Sequence, residues 1–500
     1  MTFLCLALTA SAVRAKTGYR VVRLSDGTEL HVTRSSSPIR RLAAPKRTWD
    51  ADKTYRVPVV LMSFSDCDFL QENPKEFYDR LFNEKGFNLG KGPGCVADYF
   101  RDQSNGLFNL QFDVVGPVKI AAKQKTSSKE RYGQSDFKEA VRQTDDMLDY
   151  TNYDWNGDQI VDIVVVVYAG YGGNEASAES AQGCIWPNTS SFSKLLTLDG
   201  MKVYDYSASS ELWTNNASCG IGTICHEFSH SLGLPDLYPT GSDEYSVLDE
   251  WDLMDGGNFN DDGWCPPNYS IHEREYLGWQ SPVELSEPVS VTNLSALGSG
   301  GEAYKVVNSA HALEYYLLEN RQWDGWDMML PGHGLLITHV DFDSGLWADN
   351  RVNTTSTHHR LEYFHADNLD FTDYDEMIGS GIPYGGDGRN RRLQFTAYPY
   401  TDAEGVVHDA LTDQTLPAAT LFQANANGVK LMGKAVTAIQ EENGLISFWF
   451  SNVSDGIAEV SEGARQSACY DLSGRRVLNP RPGSVYIVRY EDGSVRKIKL

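Results

Sequence analysis

Apolar and polar positions follow two different patterns along the 500-residue chain. Up to about residue 280, apolar runs of strand length such as VPVVLMSFSD and IVVVVYAG alternate with helical stretches such as PKEFYDRLFNE and FKEAVRQTDDMLDY. Beyond that point, short strand patterns follow one another with Gly and Asn turns between them, among them EYYLLENR, HGLLITHVDF, RLEYFHAD and LISFWF. This change of pattern predicts an α+β domain over 51–280 and an all-β, sandwich-like domain over 281–453.

The start of the chain predicts segments that precede the first domain. Residues 1–15 are apolar and end with small residues such as Ala15, which is typical of a secretory signal peptide. No positive charge precedes the apolar run, so that signal would be truncated at its start. Residues 16–50 resemble a pro-segment and contain a strand pattern on each side of an Asp26-Gly27 turn.

Charge and cysteine content narrow the classes of partner and compartment. The formal net charge of −25 at pH 7 argues against nucleic acid and anionic membrane as partners. No later apolar run is long enough for a helix that spans a membrane. Removal of Cys5 with the signal would leave seven cysteines of the original eight, and one or two disulfides or a set of small buried thiols are both compatible with their spacing.

The chemistry is concentrated in SCGIGTICHEFSHSLGLPDLY, residues 218–238. His226 and His230 are four residues apart, so on a helix both imidazoles lie on one face and can chelate one metal ion. Glu227 is rotated by about 100° around the helix, where it can act as a general base toward the water that the metal activates. Gly233 can take the left-handed conformation that ends a helix, and Asp236 then lies where a third ligand is needed.

The complete pattern is H-E-x-x-H-x-x-G-x-x-D, the extended zinc motif of the metzincin type with Asp as the last ligand. Met254 in WDLMDGG follows at the distance where a metzincin places the tight turn whose Met packs beneath the metal site. A core Met in a Gly-rich turn is the alternative interpretation of Met254. Asp252 and Asp255, beside Met254, are alternative carboxylates for the third ligand.

A calcium site is one interpretation of YDWNGDQIVDIVVVV. Asp154, Asn156, Asp158 and Asp162 fall at the first, third, fifth and ninth positions of a calcium-loop pattern. The twelfth position is Val165 rather than Glu, which excludes a complete EF-hand. A simpler Ca²⁺ loop and a hydrated Asp/Asn turn are the two alternatives.

A second metal site is an interpretation of the histidines in the β-rich region. His339 and Asp341 alternate onto one face of a strand. Structural histidines with ordinary hydrogen-bond partners are the favoured interpretation of the whole set, which comprises His333, His339, His358, His359 and His365.

Three motifs, HEFSHSLGLPDLY, WDLMDGG and HEREYLGW, resemble in order and spacing the immune inhibitor A-like family of secreted bacterial metallopeptidases, a metzincin-like group. The resemblance extends over roughly residues 55 to 450 and includes DYFRDQSNGLFNLQFDVVGPV, DWNGDQIVDIVVVVYAGYG and EYYLLENRQWDGWDMMLPGHGLLITHVD. It implies a zinc endopeptidase in a metzincin-like domain, acting on proteins or peptides outside the cell or at its surface. It also implies roles for five residues: His226, His230 and Asp236 as ligands, Glu227 as base and Met254 as the Met-turn residue.

The end of the chain, residues 454–500, predicts a small β tail. Its strand, SGRRV turn, GSVYIV strand, EDG turn and basic end resemble the C-terminal sorting tails of type IX secretion substrates, which implies secretion machinery as a partner. From Arg475 onward, seven Lys and Arg residues accompany two acidic ones. A terminal β unit without a transport role is the alternative.

These patterns predict a secreted zinc-dependent endopeptidase that uses Glu227 as its general base. A zinc hydrolase of non-peptide amides or esters would need the same ligands and base. A surface adhesin or glycan-binding protein on a decayed peptidase fold is a third hypothesis, and the intact set of ligands and base argues against it.

Overall fold

The computed structural model describes residues 19–23, 29–33, 48–127, 131–174, 181–213, 215–240, 246–378, 384–452, 466–471, 475–477, 485–490 and 495–499. The expected signal peptide at 1–15 lies outside the described residues, as do most of the pro-segment-like stretch at 16–50 and large parts of the tail at 454–500.

The helices of the described residues are α1 (Pro74–Asn83), α2 (Val96–Gln103), α3 (Gln134–Arg142), α4 (Gly222–Ser231), α5 (Ile271–Leu277), α6 (Ser344–Ala348) and α7 (Phe371–Ile378). Short 3₁₀ turns occupy Tyr150–Tyr153, Asp249–Trp251, Gly257–Gly263, Leu297–Ser299 and Gly325–Met329. The strands before residue 281 are β1 (Tyr19–Arg23), β2 (Glu29–Thr33), β3 (Thr54–Ser63), β4 (Asn109–Lys119), β5 (Ile160–Val161), β6 (Val164–Tyr171), β7 (Asn188–Leu198) and β8 (Met201–Leu212).

The strands after residue 281 are β9 (Val283–Glu284), β10 (Val289–Leu294), β11 (Ala303–Val307), β12 (Glu314–Arg321), β13 (Gly334–Asp341), β14 (Leu361–Tyr363), β15 (Tyr400–Thr401), β16 (Val407–His408), β17 (Lys434–Glu442), β18 (Leu445–Asn452), β19 (Gln466–Tyr470), β20 (Val485–Tyr490) and β21 (Val495–Lys499). The four strands that the sequence predicts in this region are confirmed as β12, β13, β14 and β18.

A mixed sheet forms the centre of the region before residue 281. Strands β4, β3, β6 and β8 are parallel neighbours in that order, β5 pairs briefly with β8, and β7 runs antiparallel to β8. Strand β6 is the Val-rich run IVVVVYAG of the sequence, and it lies between β3 and β8. Because alternate side chains point to opposite faces, Val165 and Val167 join the apolar cluster around α4, and Val164 and Val166 join the cluster around α3.

Two larger sheets occupy the region after residue 281, together with the short antiparallel pair β15 and β16. One has the order β14-β13-β12-β11-β9 and the other has the order β10-β18-β17. Buried residues of both sheets, among them Leu318, Ile337 and Phe448, form one apolar cluster. Because helices α6 and α7 also lie in this region, the chain here is mixed α/β with several sheets.

Helices α6 and α7 depart from the all-β pattern expected after residue 281. Helix α6 begins because the Asp343 carboxylate accepts hydrogen bonds from the N–H groups of Gly345 and Leu346, which would otherwise have no partner in the first turn. The helix is then anchored by the buried Trp347. A segment this short carries too little periodic pattern to be predicted from sequence.

One apolar core crosses residue 281. Phe228 of α4 and the buried Met254 belong to the same cluster as Leu317, Leu336 and Trp347 from the later region. The elements that surround α4 therefore come from both parts of the chain.

The described parts of the two ends contain small sheets. Strands β1 and β2 pair antiparallel with Tyr19 opposite Thr33, as the pattern around Asp26-Gly27 predicts. Strands β19, β20 and β21 form a three-stranded antiparallel sheet in the tail. Among the described residues, none of the helices has the length and apolar character that crossing a membrane requires.

The cysteines that the structure describes are free thiols. Six of them are buried and Cys67 is partly exposed, so the interpretation as small buried residues is the one that the geometry favours. Cys5 lies outside the described residues.

Candidate metal centre

Helix α4 places two imidazoles on one face, as predicted. His226 and His230 are both buried, and their ring centroids are 4.8 Å apart. The helix ends at Ser231, and Gly233 follows with φ of +102°, in the left-handed region that favours glycine. The chain turns there and brings Asp236 back beside the two rings.

Each imidazole is oriented by a backbone carbonyl. His226 Nδ1 lies 2.8 Å from the carbonyl oxygen of Leu253, and His230 Nδ1 lies 2.7 Å from that of Leu234. A carbonyl can only accept, so these contacts assign the proton to Nδ1 of each ring. In the neutral form of each ring, Nε2 then carries the lone pair and faces Asp236.

The Asp236 carboxylate faces both rings. Its Oδ1 lies 3.2 Å from Nε2 of His226 and 3.4 Å from Nε2 of His230. Asp236 is only 1% exposed, and its Oδ1 accepts no hydrogen bond from the surrounding protein. Within the described residues, these three side chains are the group of His, Cys and acidic residues whose ligand atoms come together closely enough, within 4.8 Å, to hold a metal ion. Two imidazole nitrogens and one carboxylate oxygen suit a divalent transition metal with a fourth position left open.

Charges within this group compensate one another. Burial raises the pKa of Asp236, but the charge of His230 and the close contacts of both imidazoles outweigh it and hold the pKa well below its usual range. Burial lowers the pKa of His226, but the close contact and charge of Asp236 raise it to about 9. The pocket therefore stabilises positive charge between the three side chains.

Glu227 lies beside the group and contacts strand β7. The Thr189 hydroxyl oxygen is 3.0 Å from Oε2 of Glu227 and 2.5 Å from the backbone oxygen of the same residue. Burial raises the pKa of the Glu227 carboxyl, against the opposing effect of His230 and His226. A carboxylate whose pKa is raised by burial is suited to general base catalysis.

The strand that carries Thr189 is absent from the sequence predictions. Strands β7 and β8 form a hairpin whose turn consists of Asp199 and Gly200, both with positive φ. An Asp-Gly pair between two strand-forming runs is a hairpin signal that the sequence does contain.

The turn around Met254 is attached to the site through its backbone. The Leu237 N–H donates to the Met254 carbonyl at 2.9 Å, and the carbonyl of the preceding Leu253 is the one that orients His226. Met254 itself is fully buried in the core around α4. The turn thus connects the loop that bears Asp236 with one imidazole.

The two alternative carboxylates for a third ligand have other partners. Asp255 accepts three hydrogen bonds from the backbone N–H groups of residues 247–249. Asp252 accepts one from the N–H of Met254. Asp236 is the carboxylate that reaches both imidazoles.

The proposed calcium loop is organised by hydrogen bonds within itself. Asp154 accepts bonds from the backbone N–H groups of Gly157 and Gln159, and the Asn156 amide donates to Asp158. Asp162 accepts a bond from the backbone N–H of the residue after Asp154. This is the geometry of an Asp/Asn turn, and it gives the Ca²⁺ alternative no support.

Each of the histidines singled out in the β-rich region has a side-chain partner, and His339 and His359 both lie near Glu362. His339 contacts Glu314 at 3.0 Å and His358 contacts Asp341 at 2.7 Å. The others contact further side chains: His333 with Glu441, His359 with Glu362 and His365 with Thr396. The structural interpretation is therefore the better one in the part of the chain that the structure describes.

Sequence comparison agrees with this geometry. Residues 65–281 match the immune inhibitor A peptidase M6 catalytic domain. Because of this similarity, we refer to residues 65–281 as the M6 domain. The M6 domain contains β6, β7, β8, α4 and the turn at Met254, and it ends just after α5.

Two curated relatives show a similar likeness. The chain is 23% identical to the pre-pro-metalloprotease PrtV of Vibrio cholerae over 246 residues, which are 41% of this chain and 26% of the relative. It is 22% identical to immune inhibitor A of Bacillus thuringiensis subsp. alesti over 302 residues, which are 48% of this chain and 43% of the relative. The match therefore spans less than half the length of either relative.

One residue beside Asp236 comes from outside the M6 domain. The side-chain amide of Asn350 donates to Oδ2 of Asp236 at 2.7 Å, although 114 residues separate the two in the chain. No motif in the sequence marks Asn350, because its place beside the site results only from the tertiary fold.

Proposed function

We propose that the chain is a zinc-dependent endopeptidase in which His226, His230 and Asp236 bind the metal and Glu227 is the general base. The observation that carries the proposal is the buried Oδ1 of Asp236. This oxygen has no protein donor and lies within 3.4 Å of two oriented imidazole nitrogens. Burial of a carboxylate oxygen without a hydrogen-bond donor costs free energy. A cation bound between the three side chains would offset that cost.

Each protein group at the site has a separate role in the proposed reaction. When bound, zinc lowers the pKa of a water to about 7 and polarises the scissile carbonyl. Glu227 takes the proton of the attacking water on its carboxylate and delivers it to the leaving nitrogen. Thr189 holds the Glu227 carboxylate through its hydroxyl, and the carbonyls of Leu234 and Leu253 keep the imidazoles turned toward the ligand position.

The finer architecture of the proposal is a metzincin-like catalytic domain followed by a sandwich-like β domain. Support for the first comes from the H-E-x-x-H-x-x-G-x-x-D spacing that begins on α4. The buried Met254 also supports it, because its turn is hydrogen-bonded to the loop that bears Asp236. Support for the second comes from the apolar cluster shared by the two later sheets.

Proteins or peptides outside the cell are the proposed substrates. Both relatives carry protease or inhibitor names, and the name of the Vibrio cholerae relative includes a pre-pro stage. That name fits the signal-like 1–15 and the pro-segment-like 16–50 of this chain. The basic tail from 454 is proposed to engage secretion machinery, and the test is whether a chain without it stays inside the cells.

The direct test measures zinc content and casein cleavage in two variants. E227A should keep zinc and the unfolding midpoint but lose about 10²–10⁴-fold in kcat, because the base is gone and the ligands remain. H230A should lose zinc together with activity. H333A is the matched control, since its imidazole contacts Glu441 far from the site, and it should resemble the parent in both measurements.

Two results would contradict the proposal. Casein cleavage by E227A at the parental rate would remove Glu227 from the mechanism, and full zinc occupancy in H230A would remove that imidazole from the ligands. Parallel assays with small esters, with and without chelator, separate a peptidase from a hydrolase of non-peptide substrates.

A further inference from the structure

A segment beyond the M6 domain holds the loop that carries Asp236. We call residues 233–240 the ligand loop and residues 347–353 the clamp segment. Trp347 Nε1 donates to the Gly233 carbonyl at 3.0 Å, and Asn353 Nδ2 donates to the Leu237 carbonyl at 2.7 Å. The clamp segment therefore contacts the loop on both sides of Asp236.

Asn350, between these two anchors, contacts Asp236 itself. Its Nδ2 donates to Oδ2 of Asp236 at 2.7 Å, and its Oδ1 accepts from the backbone N–H of Asp236 at 2.6 Å. The backbone carbonyl of Asn350 accepts a further bond from the hydroxyl of Thr240 in the ligand loop. The two amide contacts form a closed pair that fixes both the position and the rotation of the carboxylate.

The consequence lies in the other carboxylate oxygen. With Oδ2 occupied by Asn350, Oδ1 is the oxygen that points to the two imidazoles and has no protein donor. Without the amide, the carboxylate could rotate and present either oxygen, or turn away from the rings. A ligand held in one orientation binds metal more tightly than one that must first be ordered.

The clamp segment is itself fixed to the later sheets. Asn353 also donates to the carbonyl of Leu361 and accepts from the backbone N–H groups of Arg360 and Leu361, which flank and begin β14. Asn350 is buried, and its φ of +55° lies in the left-handed region that asparagine tolerates. These contacts give the amide a defined position before any metal binds.

We propose that Asn350 is a positioning residue for the metal centre, so that the M6 domain forms a tight site only together with the clamp segment. This inference rests on the metal site proposed above. The amide does not touch the metal or the substrate, and it acts by directing Oδ1 of Asp236 toward His226 and His230.

The test is zinc affinity, measured on the whole chain by competition with a chromogenic chelator. N350G removes the amide and keeps a residue that accepts positive φ, so zinc should bind about 10–100-fold more weakly. N350D replaces the donor by a second carboxylate next to Asp236 and should weaken binding at least as much. N368G is the matched control, because Asn368 is exposed and also has positive φ, at +57°, and its affinity should equal that of the parent.

A double-mutant cycle separates positioning from a general structural role. In a D236A background, N350G should change zinc affinity less than about twofold, because the carboxylate that it positions is absent. Metal-free N350G should still unfold in one cooperative transition, at a midpoint lowered by the loss of two buried hydrogen bonds.

The outcomes are distinct. Equal zinc affinity of N350G, N368G and the parent would overturn the role of Asn350 and leave the metal site intact. So would an equal loss from N350G in both backgrounds, or loss of the cooperative unfolding transition in metal-free N350G, since either indicates a structural role. Absence of zinc binding by the parent would refute the proposed function itself.

Discussion

The two imidazoles and the carboxylate of the proposed metal centre are held by different regions of the chain. His226 and His230 are oriented by carbonyls inside the M6 domain, from Leu253 and Leu234. Asp236 is oriented by Asn350, which lies beyond that domain. The groups proposed to bind metal thus form one short motif, whereas the groups that orient them are spread over more than a hundred residues.

The contact between the two regions is polar as well as apolar. The fully buried Arg321 of β12 contacts Glu319 at 3.0 Å and Asp327 at 2.7 Å, and it also donates to the backbone carbonyl of Asn268 in the M6 domain. Glu319 in turn accepts a bond from the N–H of Ile271, at the start of α5. Arg321 and Glu319 therefore connect the later sheets to the M6 domain by hydrogen bonds, and a substitution of Arg321 removes one of them.

The largest expected effect on stability is that of R321M. Methionine keeps much of the volume but leaves Glu319 and Asp327 buried without their cation, which should cost about 3–5 kcal/mol in the free energy of unfolding. Denaturant unfolding monitored by tryptophan fluorescence measures it. R80M is the control, because Arg80 and Glu84 form an exposed pair on α1 that should contribute about 1 kcal/mol or less.

An R321M protein as stable as R80M would show that this buried charge cluster contributes little to stability. In that case the apolar core that crosses residue 281 would be the main connection between the two regions.

The difference between the regions also explains what the sequence could predict. The spacing of His226, Glu227 and His230 on a helix, and the turn at Gly233 that brings back Asp236, are local properties and agree with the structure. Contacts made by Asn350 and Thr189 depend on how distant elements pack, and no local pattern encodes them. The later region is rich in β structure as expected, but the short helix α6 was not predicted, because one cap and one buried tryptophan leave too little periodic pattern.

A smaller effect is expected on the pH dependence of stability when His272 is replaced. This residue lies where α5 meets the clamp segment. Its ring is buried and packs against Trp347 with ring centroids 5.1 Å apart. The hydroxyl oxygen of Tyr315 lies 3.3 Å from its Nδ1. Burial, followed by the charge of Lys305, lowers the pKa of His272 from 6.5 to about 3. The folded protein thus holds this imidazole neutral at a pH where the unfolded chain protonates it.

The lowered pKa of His272 makes the free energy of unfolding depend on pH. A lowered pKa means that the stability contribution is complete above pH 6.5 and is lost as the pH falls toward 3. At pH 5 the loss should be about 2 kcal/mol relative to neutral pH. H272N removes the titrating group, so between pH 7.5 and 5 its free energy of unfolding should fall by about 2 kcal/mol less than that of the parent. Parallel curves for parent and variant would contradict the pKa assigned to His272.

The smallest expected effect concerns Thr189, on the side of the site that belongs wholly to the M6 domain. Its hydroxyl contacts both Oε2 and the backbone oxygen of Glu227, so T189V removes both polar contacts and keeps the shape of the side chain. We expect kcat on a peptide substrate to fall about tenfold, equivalent to about 1.4 kcal/mol, with KM and zinc affinity unchanged. T189S retains the hydroxyl and should recover most of the loss.

A comparison of kcat and zinc affinity between T189V and N350G tests whether the two regions have different roles. A change near Glu227 should lower kcat without releasing zinc, whereas a change near Asp236 should weaken zinc binding. If T189V weakened zinc binding as much as N350G, the hydroxyl would support the whole site rather than the base, and the division between the two regions would not hold. If T189V and T189S both turned over at the parental rate, the Glu227 carboxylate would need no partner from β7.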